Sequence, residues 1–134
     1  MFTLFSLALL ATIPGPATSP LVEESHQHDW FVILEGDEPF AWIDRNWRDT
    51  YRADDIEYPV VLVRVRSDGP GGSFLGDSQL AVDCAHDRIG IRAGWGISEL
   101  RGESERRVEN VRFNFQGNPP DALDRSIMDF ACER

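Results

Sequence analysis

Two cysteines behind an apolar N-terminus constrain this chain more than any other feature. Residues 2–13 are uncharged and apolar, and the small residues that follow, up to Ala17, are typical of a signal-peptidase site. The run is shorter than the about 20 residues that a membrane-spanning helix needs. We therefore predict a signal peptide at 1–17 with cleavage after Ala17. The mature protein is expected not to span a membrane and to lie in the periplasm or outside the cell.

Cys84 and Cys132 are expected to form a disulfide, because small exported proteins use paired cysteines mainly as structural bridges. His86 stands close enough in sequence to activate a thiol, but an oxidised Cys84 offers no nucleophile. A bridge across 48 residues stabilises a fold by roughly 4 kcal/mol in the chain-entropy model. The sequence therefore predicts a structural disulfide that joins the middle of the chain to its end.

The remaining chain has the length and charge of one acidic domain. We expect a flexible polar segment at 18–29 and a single domain at 30–134. The formal net charge is -10, and all 13 basic residues are arginine. A field of this sign repels nucleic acid and favours basic partners. The composition therefore argues against a nucleic-acid-binding protein.

Apolar residues alternate with period two in several short stretches, which is the pattern of strands with one buried face. The predicted strands are Trp30–Leu34, Phe40–Ile43, Val60–Arg66, Gln79–Cys84, Ile89–Trp95 and Val111–Phe115. In the third strand, Val63 falls on the buried face and Arg64 on the solvent face. The chain is therefore predicted to be mainly β.

Three further stretches complete the predicted architecture. Residues 67–77 are rich in glycine and residues 99–107 in charge, so we predict a turn in the first and a hairpin tip in the second. Ala122–Cys132 has apolar residues at helical spacing after a start that contains proline and aspartate. The predicted fold is α+β, an antiparallel sheet of about five or six strands with a C-terminal helix packed on it and one disulfide.

Several short motifs follow one another between Trp30 and Cys132. They are Trp42, Ile43 and Asp44, then Asp83 and Cys84, then Phe115 with Pro119 and Pro120, and finally Cys132. This order resembles the bacterial surface-adhesin protein E-like family. The resemblance implies an antiparallel sheet with a C-terminal helix and a location in the cell envelope.

Three groups of residues have the composition of chemical sites. His26, His28 and Asp29 are ligand types for zinc, copper or haem iron, but two histidines on a polar tail usually bind nothing specific, so a solvated tail is the favoured explanation. The carboxylates within 49–57 are interspersed with arginine, as in a solvated, ion-paired loop. The glycines of 69–73 lack the Gly-Lys-Ser/Thr ending of a phosphate loop. We therefore predict no catalytic residue, no cofactor and no metal site.

Trp42, Asp44, Trp47 and Arg48 form the candidate interface, because tryptophan and arginine dominate binding hot spots. The sequence therefore predicts an exported, non-catalytic, protein-binding or adhesin-like module and not an enzyme. Its partner is expected to be an unknown protein, or a second copy that forms a homodimer through an open sheet edge. The alternative is an acidic inhibitor of a basic secreted enzyme, a lysozyme or protease, steered by charge.

Overall fold

The fold is an antiparallel sheet with one helix, seen in a computed structural model that describes residues 13–36, 39–69, 71–115 and 121–134. The elements in chain order are β1 (Trp30–Glu35), β2 (Pro39–Asp44), β3 (Asp49–Ala53), β4 (Ile56–Gly69), β5 (Gly72–Asp83), β6 (Arg88–Ser98), β7 (Gly102–Arg107), β8 (Asn114–Phe115) and α1 (Ala122–Ala131). The strands are ordered β1-β2-β4-β5-β6-β7, while β3 pairs with β4 and β8 with β6.

This architecture confirms the predicted antiparallel sheet, C-terminal helix and disulfide. The predicted five or six strands are too few, since eight strands form within the described ranges. Among the described residues, no helix is long and apolar enough to cross a membrane. Most of the predicted signal peptide and the Pro119–Pro120 motif lie outside the described residues.

β4 and β5 are longer than predicted because their pairing continues through the glycine-rich stretch. Their register runs from Val60 opposite Ala81 to Gly69 opposite Gly72, so most of 67–77 is strand and the predicted long turn is wrong. The chain reverses between these two glycines. Gly72 has a φ of 98°, which residues with side chains rarely adopt. The glycines therefore serve a short reversal at the end of a long hairpin.

Two strands, β3 and β7, lack the period-two alternation of apolar residues from which strands were predicted. β7 occupies most of the predicted hairpin tip, and all of its residues are exposed, so its sequence carries no apolar alternation. β3 occupies part of the predicted polar loop and is joined to β4 by Asp54 and Asp55, whose φ values are 51° and 64°. The predicted last strand is too long, because β8 pairs with β6 only through Asn114 and Phe115.

Each face of the sheet has its own apolar cluster. The helix face is covered in part by α1 and contains Ile43, Val61, Val63, Leu80, Val82, Ile89, Ile127, Met128 and Ala131. The opposite face, here called the N-terminal face, contains Leu21, Leu62, Ala93 and Trp95, with Val22 and Trp30 packed against them. Side chains alternate along β4, so Arg64 lies on the N-terminal face. There it is fully buried and not solvent-facing as predicted.

Both ends of α1 are held by specific contacts. Asp121 caps the N-terminus, where its side chain accepts a hydrogen bond of 2.8 Å from the N–H of Asp124. At the other end Arg48 donates hydrogen bonds to the carbonyls of Phe130 and Ala131, where a cation is favoured by the helix dipole. The next residue, Cys132, is bonded to Cys84 directly after β5. The disulfide therefore ties the helix to the centre of the sheet.

Replacing both cysteines, in a Cys84→Ser, Cys132→Ser variant, is expected to lower the free energy of unfolding by about 4 kcal/mol, because the unfolded chain regains the entropy of a 48-residue loop. Urea unfolding of the wild type, with and without reductant, and of the variant measures this difference. An unchanged unfolding midpoint, or two titratable thiols in the native wild type, would contradict the expectation.

Candidate functional site

The four residues of the predicted interface do not form one exposed surface. Trp42 is 6% exposed and Asp44 is fully buried. Trp47 is half-buried against the cluster of the N-terminal face, whereas Arg48 points to the end of α1. Trp42 and Asp44 lie on a strand that is covered on both faces, so only Trp47 and Arg48 of the predicted interface reach the surface.

Asp44 instead holds the N-terminal segment to the sheet. Its Oδ1 accepts hydrogen bonds from the N–H groups of Asp29 (2.9 Å) and Asn46 (2.8 Å). Its Oδ2 lies 2.9 Å from Nε2 of His26 and 2.5 Å from Nδ1 of His28. Burial raises the pKa of this carboxyl, but the two backbone and two imidazole hydrogen bonds together hold it below the usual value of 3.8. The carboxylate therefore has a partner on every side.

One ring nitrogen from each of His26 and His28 and one carboxylate oxygen of Asp44 lie within 4.8 Å of one another. Such a grouping could hold a metal ion. The N–H of Ser19 donates to Nε2 of His28 at 3.0 Å. Nε2 must therefore be unprotonated, and Nδ1 carries the proton that Asp44 accepts. A metal ion on Nδ1 would force a proton onto Nε2, directly against the Ser19 N–H. The hydrogen bonding thus fits a structural tie better than a metal centre.

Sequence reasoning grouped these histidines with Asp29, which has a different role. Asp29 contributes its backbone N–H to Asp44, and its side chain pairs with Arg45 at the surface. The true third member, Asp44, lies 16 residues from His28 and becomes its neighbour only through the pairing of β1 with β2. No local spacing in the sequence indicates this contact.

Arg64 anchors the chain that precedes these histidines. Its Nε and Nη2 donate to both carboxylate oxygens of Asp77, at 2.6 and 2.8 Å, and its Nη1 donates to the carbonyls of Pro14 and Pro16, each at 2.9 Å. The guanidinium carbon lies 4.9 Å from the centre of the Trp30 ring. Residues 13–30 therefore cover the N-terminal face through a buried cation, and the expected flexible segment at 18–29 has defined contacts.

The helix face is open where α1 does not reach. A groove of about 480 Å³ lies over β5, β6 and β7. Residues of its lining that the strand register places on this face are Val65, Phe74, Gly76, Ser78, Ile91, Gly94, Gly96, Ser104 and Arg106. Phe74 is 44% exposed and Ile91 is 55% exposed. Exposed apolar side chains that border a groove are typical of a binding surface.

Glycines shape this groove. A Cβ atom on Gly76 would lie 2.6 Å from the Phe74 ring, and one on Gly96 would lie 2.8 Å from it. The ring therefore packs directly over the backbone of these paired residues, which no side-chain-bearing residue would permit. Gly94 sits beyond the ring, opposite Arg106 on β7. The floor of the groove is thus backbone, and its walls are the apolar side chains and Arg106.

Arg106 differs from most arginines in this protein. Eight others form ion pairs with carboxylates, namely Arg45, Arg52, Arg64, Arg66, Arg88, Arg92, Arg107 and Arg134. The side chain of Arg106 forms no hydrogen bond or ion pair with the described residues. The other lining residues with charge, Asp77 and Arg92, have partners on the N-terminal face. The groove therefore contains a cation without a matching anion.

The other chemical groups proposed from sequence have structural partners. Arg92 forms an ion pair with Asp49, and Arg52 forms one with Glu57. His86 and Arg88 both bond Asp83, and these contacts hold its pKa below the usual value although burial raises it. Arg92 lines the groove but its side chain pairs on the N-terminal face, and the residues of the other ion pairs lie outside the groove lining.

In comparisons with known proteins, no family model, curated protein or solved structure matches this chain. The resemblance to the surface-adhesin protein E-like family therefore stays a prediction. What the site can do must be argued from its own residues.

Removing residues 13–17 is expected to destabilise the domain. A chain that starts at Thr18 leaves Nη1 of the buried Arg64 without its two carbonyl acceptors, at a cost of about 2–3 kcal/mol. Urea unfolding of proteins that start at Ile13 and at Thr18 measures the difference. These contacts favour a cut before Pro14 over the predicted cut after Ala17, so, if the chain is exported, intact-mass analysis should place its first residue at or before Pro14. Equal stability of the two proteins, or a natural first residue of Thr18, would contradict this role of Arg64.

Asp44→Asn is expected to lower the free energy of unfolding at neutral pH by about 3 kcal/mol, because a buried anion that receives four hydrogen bonds is lost. The folded-state pKa of Asp44 lies below 3.8, so its stabilisation is present above that pH and disappears as the pH falls further. Unfolding curves between pH 2 and 7 should therefore be less pH-dependent in the variant.

Asp29→Asn is the matched control, because it keeps the backbone N–H that Asp44 accepts and alters only a side chain that pairs with Arg45 at the surface. Its effect is expected to stay below about 1 kcal/mol. Equal effects of the two substitutions would show that Asp44 has no special role.

Proposed function

We propose that this chain is an exported, non-catalytic binding module that takes an apolar part of its partner into the open groove of the helix face. The single observation that carries the proposal is the groove itself, about 480 Å³ in volume and bordered by the exposed side chains of Phe74 and Ile91. Burial of such side chains on binding is the main favourable contribution to association. The disulfide and the apolar N-terminus support export.

The chemistry of the groove supports binding better than catalysis. Its walls are aliphatic and aromatic, and its floor is backbone already paired within β5, β6 and β7. General acid–base catalysis needs paired titratable groups within reach of one substrate, whereas the described acid–histidine clusters lie outside the groove lining and serve as structural ties. The groove therefore offers shape and apolar area to a partner.

The alternative, an acidic inhibitor of a basic enzyme, would use another surface. A basic partner would be attracted by the net charge of -10, but the charged group in the groove wall is Arg106, a cation. Binding to such an enzyme would weaken strongly with salt. Groove binding is driven by apolar burial, so it is expected to persist at high salt.

Site-specific photo-crosslinking tests the groove directly. A photoreactive phenylalanine analogue replaces Ile91 in the groove, and the control replaces Ile56, which is 52% exposed and lies at the start of β4, away from the groove. After irradiation in envelope and extracellular extracts, mass spectrometry identifies protein or small-molecule adducts. We expect an adduct at position 91 that is absent at position 56 and persists at high salt.

A second pair of variants makes the result specific. Phe74→Asp introduces a charge at the groove and should abolish the adduct at position 91. Phe31→Asp, at a side chain with nearly the same exposure, 47% against 44%, should leave it unchanged. An identical set of adducts at positions 91 and 56, or an adduct at position 91 that survives Phe74→Asp, would contradict the proposal.

A further inference from the structure

We infer that the groove accommodates a single alkyl chain that ends in a carboxylate, a free fatty acid, with the carboxylate on Arg106. This inference rests on the proposed function and adds the chemical class of the ligand. Three properties of the groove support it. The walls are apolar, the floor is backbone that is paired in the sheet, and the Arg106 side chain has no ion-pair partner among the described residues.

The walls favour an alkyl chain. Val65, Phe74, Ile91 and Val108 border the groove, and no side chain fills the space above Gly94 on its floor. Methylene groups buried against such walls are removed from water, which favours binding. The volume of about 480 Å³ lies within the usual range of small-molecule sites. An aliphatic chain therefore matches the size and polarity of the groove.

The floor disfavours an extended peptide in the same place. Along the groove, from Phe74 opposite Ser98 to Ala93 opposite Arg107, the N–H and C=O groups of β5 and β6 are used in the sheet, as are those groups of the edge strand β7 that face β6. A peptide would bring its own backbone groups, and each one buried without a partner costs free energy. Ser78 and Ser104 offer only two hydroxyl groups to satisfy them. An alkyl chain has no such groups, so it enters without this penalty.

The cation selects the head group. Arg106 lies opposite Gly94, so no side chain of β6 stands between the guanidinium and the groove at that pair. It has no partner among the described residues, and a guanidinium binds a carboxylate through two parallel hydrogen bonds. The protein as a whole is strongly acidic. The overall negative charge repels an anionic ligand and attracts a cationic amphiphile. An anion would therefore bind in the groove only through the local positive charge of Arg106.

Three amphiphiles with the same chain length separate these effects. Decanoate, decyl maltoside and decyltrimethylammonium, each below its critical micelle concentration, are titrated into the oxidised protein labelled with ¹⁵N-glycine. The 11 glycines give a simple spectrum, in which Gly76, Gly94 and Gly96 report on the groove and Gly36 on a remote turn. We expect decanoate to shift the groove signals at the lowest concentration of the three.

Two neighbouring arginines give a matched pair of variants. Arg106→Gln and Arg107→Gln change the net charge equally, but Arg107 lies on the other face of β7, where it pairs with Glu105. Arg106→Gln is expected to weaken decanoate binding about tenfold, the effect of one charge-assisted contact. Arg107→Gln is expected to have no effect. An unperturbed Gly36 signal in both variants shows that they remain folded.

The outcomes distinguish this inference from the proposed function. Equal binding of all three amphiphiles in the groove, with no effect of Arg106→Gln, overturns the choice of a carboxylate and leaves the groove as a binding surface. Absence of groove shifts with every amphiphile, or a protein adduct at position 91 in the crosslinking experiment, overturns the fatty acid. The proposed function itself is contradicted by the crosslinking results alone, either the same adducts at positions 91 and 56 or an adduct at position 91 that survives Phe74→Asp.

Discussion

The buried ion pair between Arg64 and Asp77 is the interaction on which the rest of the structure depends. Both side chains are fully buried, and a buried charge is tolerated only when its hydrogen-bonding groups are satisfied. Nε and Nη2 of the guanidinium donate to the Asp77 carboxylate, and Nη1 donates to the carbonyls of Pro14 and Pro16. Proline brings carbonyls without an N–H of its own, so these residues provide acceptors and no competing donor. The cation therefore makes the N-terminal segment part of the domain.

This anchor explains why the two faces of the sheet differ. The N-terminal face is closed by residues 13–30, which Arg64 and the Asp44 cluster hold in place. The helix face is covered only in part, because the disulfide draws α1 toward Cys84 at one end of β5. At the other end of the same strand, Phe74 lies over paired glycines and borders the groove. The open surface is thus a consequence of where the covering elements are tied.

The sequence predicted the central strands because their residues alternate between a buried and a less buried face. Val60–Arg66 and Gln79–Cys84 lie within the long strands β4 and β5. β7 was missed because an exposed edge strand is defined by backbone pairing, which leaves no apolar pattern. The helix was predicted from local spacing, and the disulfide from the oxidising compartment that an export signal indicates. These features therefore required no knowledge of long-range contacts.

The candidate site was much less predictable than the fold. Arg64 was placed in solvent because period two assigns it to the face opposite Val63, and nothing local shows that the N-terminal segment covers that face. Trp42 and Asp44 were interface candidates because of their residue types and neighbours, and nothing local shows that both faces of their strand are covered. The groove joins Phe74, Ile91 and Arg106 from three strands, and one glycine of its floor, Gly76, falls in the stretch that sequence analysis assigned to a turn. Such sites arise from register, which short motifs do not encode.

Hydroxyl-radical footprinting of the intact, oxidised protein, read by mass spectrometry, tests the central claim that one face is closed and the other is open at the groove. The account predicts that Phe74 is modified about as fast as Phe31, since both side chains are nearly half exposed, whereas Leu21 and Trp95 are strongly protected. Rapid modification of Leu21 and Trp95 would show that the N-terminal segment does not cover its face. Protection of Phe74 in the isolated protein would show that the groove is already filled, and either result would contradict the account.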